Sequence, residues 1–140
     1  MKRTTFRKLS LTAIASAMLF AGGCVHRYQV DTEAPNYAAV AKIKVKVNKD
    51  ENREMTLQID HLAPPHKFDG GYRGYAVWIA VPGHGISKVG MLDYTAKKRR
   101  GELVATSPYP KFEVIVSLEE DVTSAQPSQQ IVLRKVVTGA

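Results

Sequence analysis

An all-β fold, a single antiparallel β-sandwich of about seven strands, is predicted by three features of the 140-residue chain. After residue 38, apolar and polar residues alternate in seven short segments, and the 3–4 spacing of a helix is scarce. Between those segments lie clusters of Gly, Pro, Asn and Asp, the residues that turns need. Composition is ordinary for one globular domain, at 44% hydrophobic, 24% charged and 8% aromatic.

The order of the chain begins with a leader. Residues 1–8 hold Lys2, Arg3, Arg7 and Lys8 without an acid, residues 9–21 are an apolar run, and Gly22 and Gly23 follow. A basic start, a short apolar core and small residues describe a secretory signal peptide over 1–23, and the run is too short to cross a bilayer as a helix. The leader also accounts for most of the basicity. The chain carries +7, but residues 24–140 hold 16 basic against 13 acidic side chains. Nucleic-acid binding is disfavoured, because counterion release needs a basic surface on the folded domain.

The sole cysteine, Cys24, follows directly in Leu19-Phe20-Ala21-Gly22-Gly23-Cys24. This stretch resembles the lipobox of bacterial lipoproteins, with Ala21 where Leu is more usual. The resemblance implies a diacylglyceryl thioether on Cys24 and cleavage before it. The other reading is a free or disulfide-forming thiol, although one cysteine allows no intrachain disulfide. Two or more acyl chains anchor stably where one does not. Residue 25 is Val and not the Asp that signals inner-membrane retention in such lipoproteins, which implies the outer membrane with the domain facing the periplasm.

Residues 24–37 are polar, contain Pro35 and show no sustained period, so they are expected to form a flexible, lipidated tether with a reach of roughly 20 Å. The domain follows over 38–140. In 41–47, Ala41, Ile43, Val45 and Val47 share one face, and Lys42, Lys44 and Lys46 the other. Residues 49–52 supply a turn, and Met55, Leu57 and Ile59 alternate with Thr56, Gln58 and Asp60 in the returning strand. Further strands are expected at 75–81, 88–94, 102–106, 112–118 and 130–137, separated by Pro82-Gly83-His84-Gly85, by 96–101, by Ser107-Pro108-Tyr109-Pro110 and by 120–128. Seven such strands suggest a sandwich of immunoglobulin-like size, with a small barrel as the alternative. About 100 residues can bury a core without disulfides.

From Tyr75 onward the chain resembles the C-terminal, extracytoplasmic domain of anti-sigma-K-type factors. The matching stretches are Tyr75-Ala76-Val77-Trp78, Val89-Gly90-Met91-Leu92, Phe112-Glu113-Val114-Ile115-Val116-Ser117-Leu118-Glu119, and Pro127-Ser128 with Ile131-Val132-Leu133. Glu120 stands where the family often has Pro, and Gln129 where it often has Gly. The resemblance covers about residues 75–134 and implies a β-sandwich shared with a periplasmic sensing module. It does not carry over sigma-factor binding, since the family's cytoplasmic helical region and membrane-spanning helix have no counterpart here.

Candidate functional residues are few. Lys42, Lys44 and Lys46 either protect an edge strand from pairing or contact anionic head groups or an acidic partner. Lys97, Lys98, Arg99 and Arg100 crowd a hairpin tip, as a solvated turn or as part of a docking surface. His61, His66 and His84, near Asp60 and Asp69, have no spacing that defines a metal site, and no metal or cofactor is expected. Gly83-His84-Gly85 lacks the continuation of a phosphate-binding loop and reads as a turn. Strand 75–81 is apolar on both faces, so Trp78 either lies in the core, as expected, or contributes to a docking patch. No catalytic motif appears. The expectation is a lipid-anchored, non-catalytic protein-binding or structural module of the envelope; the alternatives are an accessory or sensory component of envelope signalling and a small envelope enzyme.

Overall fold

The computed structural model describes residues 24–139. The signal peptide read over 1–23 lies outside the described residues. Among the described residues, nine strands form two antiparallel sheets: β1 (Val25–Asp31), β2 (Val40–Val47), β3 (Arg53–Asp60), β4 (Gly74–Val81), β5 (Gly85–Met91), β6 (Asp93–Thr95), β7 (Arg100–Ser107), β8 (Lys111–Glu119) and β9 (Ile131–Thr138). One sheet has the order β1-β2-β3-β7-β6 and the other β5-β4-β8-β9. With β1 set aside, this is the order of an immunoglobulin-type sandwich, A-B-E-D facing C′-C-F-G.

The expected alternation places the core. Ile43, Val45, Met55, Leu57 and Ile59 from the first sheet meet Tyr75, Val77, Ile79, Val114, Val116 and Leu118 from the second, all of them buried. Successive side chains of a strand point to opposite faces, so Lys42, Lys44 and Lys46 are directed to solvent by the same geometry that buries their neighbours.

Three expectations need correction. Residues 24–37 are not a free tether. Val25–Asp31 pairs with β2 along its full length, His26, Tyr28 and Val30 turning inward opposite Val45, Ile43 and Ala41. The Tyr28 hydroxyl clips this edge to the other sheet, donating to the Thr138 carbonyl and accepting from its amide, each at 3.0 Å. The segment that follows is also held: the Glu33 amide donates to the Val132 carbonyl (2.8 Å), and the Asn36 amide group to the Tyr75 hydroxyl (2.9 Å). Consequently β2 is not an edge strand, and its lysines do not guard one.

The segment expected as one strand over 88–94 is two. The chain leaves the second sheet after Met91, buries Leu92, and joins the first sheet as β6. Trp78 is fully buried, as expected, in a second apolar cluster apart from the inter-sheet core. Opposite in parity to Tyr75, Val77 and Ile79, it packs with Ala76 and Ile115 on the outer face of the second sheet. The 120–130 connection lies against that face. Lys88, its ammonium 5.4 Å from the Trp78 ring centroid, donates to the Val122 and Ser124 carbonyls (2.5 and 3.3 Å).

Candidate functional site

Cross-strand register gives the first sheet's outer face its rows. Val25, Lys46, Glu54 and Thr106 form the row at one end, and Asp31, Val40, Asp60 and Arg100 the row at the other. Between them run Arg27-Lys44-Thr56-Val104 and Gln29-Lys42-Gln58-Glu102. Cys24 is exposed and adjoins the first row. The turn over 96–99 adjoins the last. The two ends are separated by the length of β7, about 23 Å for eight residues.

The acids on this face sit in the rows beside the lysines at either extreme. Lys46 pairs with Glu54 at 2.8 Å. Asp60 takes Lys42 at 3.0 Å and Arg100 at 2.7 Å, with the Gln58 amide on both oxygens. The hydrogen bond from Lys42, joined by those from Arg100 and Gln58, outweighs desolvation and holds the Asp60 carboxyl down from 3.8 to about 2. The row between is different. Arg27 and Lys44 stand directly opposite each other, both exposed, and among the described residues neither makes an ion pair. They flank a shallow groove of about 440 Å³, lined also by Gln29, Lys42, Thr56 and Gln58, with no carboxylate in its wall.

The structure divides the four cations of the 97–100 run. Arg100 is the first residue of β7, bound to Asp60 and 4.0 Å from Glu102. Arg99 adopts a left-handed backbone (φ 49°), its carbonyl accepting from the Leu62 amide at 2.9 Å. Lys97 and Lys98 are exposed at the apex. Thus Lys42, Lys44 and Lys46 belong to one surface, and Lys97, Lys98 and Arg99 to another at the far end from Cys24.

Other polar side chains are engaged in contacts within the domain. The Trp78 indole N–H donates to the Ser117 hydroxyl (2.7 Å), which donates to Glu119 (2.5 Å), and the Ser128 amide donates to the same carboxylate oxygen (2.9 Å). Ser117 and Glu119 are buried, so this relay fastens the 120–130 connection to the sheet and opens to no substrate. Among the described residues no three His, Cys, Asp or Glu side chains converge on a metal position, and His84 instead stacks on Tyr109 at 4.7 Å. No helix among them is long and apolar enough to cross a membrane.

Sequence reasoning missed Arg27, because its segment carries no apolar alternation. Its signal is visible only once β1 is paired: a cation facing the central lysine of β2. No protein family, curated protein or solved structure matches the chain.

Proposed function

We propose that this chain is a lipid-anchored module of a bacterial envelope, held at Cys24 in the outer membrane with its domain facing the periplasm, which acts by binding another protein and has no catalytic centre of its own. The observation that carries this reading is the placement of the only cysteine: it follows the apolar leader and Ala21-Gly22-Gly23, and it is exposed at the mouth of the first strand. An acylated thiol at that point suits an envelope protein better than a free one. Protein binding is favoured by the far-end turn, where Lys97 and Lys98 stand exposed at the end of the sheet opposite Cys24. Metabolic labelling with a fatty-acid analogue, with membrane fractionation, tests the anchor. The native protein is expected to take label, to begin at Cys24 and to fractionate with outer membranes. Label retained by Cys24→Ser, or a mature terminus elsewhere, would overturn it.

A further inference from the structure

The Arg27–Lys44 pair is an arrangement that a sheet does not favour on its own account. Like charges directly opposite on one face repel, and an aspartate or glutamate in either position would relieve them as Glu54 relieves Lys46. Both cations instead border an open groove lined also by Tyr28, Gln29, Lys42, Ile43, Thr56 and Gln58, with no acid among them; the Lys42 ammonium is held by Asp60. Such a wall is complementary to a phosphate: two cations for its charge and neutral groups for its remaining oxygens.

We infer that this groove binds the phosphate of an anionic lipid head group in the membrane that holds Cys24. The inference rests on the reading that Cys24 is acylated, and the paired β1 is what gives it force. Arg27 lies three residues from Cys24, about 10 Å along an extended strand. A tether would let the domain wander, whereas a strand hydrogen-bonded from Val25 onward holds the groove beside the head groups. The face is also graded. Its β1–β2 side carries Arg27, Lys42, Lys44 and Lys46 against Asp31, and its β7–β6 side carries Arg100 against Glu102 and Asp93, so an anionic surface draws the β1–β2 side down more strongly. The 97–99 turn takes no part in this contact.

The test uses the lipidated protein reconstituted into vesicles of phosphatidylcholine alone or mixed with phosphatidylglycerol, with a fluorophore on Val104→Cys, an exposed position in the groove's own row, and head-group-labelled quencher lipid. A probe on Val136→Cys, exposed on the outer face of the other sheet, is the control. Phosphatidylglycerol is expected to increase quenching at 104 and not at 136, and salt to remove the increase. Each basic side chain near an anionic surface strengthens binding roughly five-fold, so Arg27→Gln with Lys44→Gln is expected to shift the equilibrium away from the bound pose by roughly 30-fold. Arg27→Lys with Lys44→Arg keeps the charges and should keep the pose. Neutralising the pair relieves repulsion, so melting of the Gln variant should be no lower than native. Quenching at 104 that ignores phosphatidylglycerol, or that persists in the Gln variant, overturns the inference. Full displacement by submillimolar inorganic phosphate at constant ionic strength would overturn the head group as the source, because an anchored groove sees head groups at a far higher local concentration, and weaker competition supports the lipid. Mass analysis of the same sample separates the two readings: unacylated protein that still binds phosphatidylglycerol vesicles refutes the anchor alone, and acylated protein indifferent to phosphatidylglycerol refutes the groove alone.

Discussion

Replacing Ser117 by Ala removes one oxygen from the buried relay and disturbs both groups bound to it. The Trp78 indole N–H, fully buried, loses its acceptor, and the Glu119 carboxylate loses a donor. An orphaned buried donor costs about 1–3 kcal/mol, and a hydrogen bond to a charged group contributes about 1.5–3 kcal/mol. Because Glu119 keeps the Ser128 amide, a combined loss of about 3 kcal/mol is expected. With a urea slope of about 1.5 kcal/mol per molar for a domain of this size, the midpoint falls by about 2 M. Circular dichroism in the β region follows unfolding without depending on the single tryptophan. In Ser117→Ala with Trp78→Phe there is no orphaned indole N–H, so the two costs should fall short of additive by about 1–2 kcal/mol. In the native protein, acrylamide should reach Trp78 only after unfolding. A Ser117→Ala loss under about 0.5 kcal/mol, or strict additivity, would refute the relay as the fastening of the 120–130 connection.

Three further outcomes follow from the charged residues. Asp60 is held at about 2 in the folded state against 3.8, so its contribution is complete above 3.8 and is lost as pH falls through about 2. Urea midpoints measured between pH 5 and 2 should therefore drop less steeply in Asp60→Asn than in the native protein. Changing Lys97, Lys98 and Arg99 to Ser should leave the melting temperature within about 2 °C while removing crosslinked protein partners in cells, whereas Arg100→Ser should lower stability by about 1 kcal/mol through its lost pair with Asp60. Identical partners from equally abundant, equally lipidated native and triple-variant proteins would make the turn a solvated one.

The strands that proved legible were those whose inward set is apolar. Met55, Leu57 and Ile59 announce their face without help from any neighbour. In β1 the inward set is His26, Tyr28 and Val30, half-buried and mostly polar, and Val25 is on the wet side, so the period carries no hydrophobic signature. Pairing with β2 makes the strand, and pairing is not written in the segment itself. The break at Leu92 is hidden for the opposite reason: alternation runs on through the residues where the chain changes sheets. Trp78 was recognisable as covered, but a strand apolar on both faces does not reveal that one cover is a loop. Of the candidate site, the β2 lysines could be read from spacing, yet their division into Lys42 and Lys46, each paired with an acid, and Lys44, which has no ion pair among the described residues, depends on Asp60 and Glu54 arriving by register.

The absence of slack between Cys24 and β1 has a mechanical consequence. Tension between an anchored Cys24 and a partner held at the 97–99 turn runs diagonally across the sheet with its larger component along the strands, because those points lie at opposite ends of it and on opposite edges. Such a load shears β1 along β2, straining the hydrogen bonds of seven paired residues together instead of peeling them one at a time. The Tyr28–Thr138 clip adds a crosslink from the loaded strand to the second sheet. A pull across the sheet, by contrast, would meet those bonds singly, so the molecule is stiffer along its strands than across them.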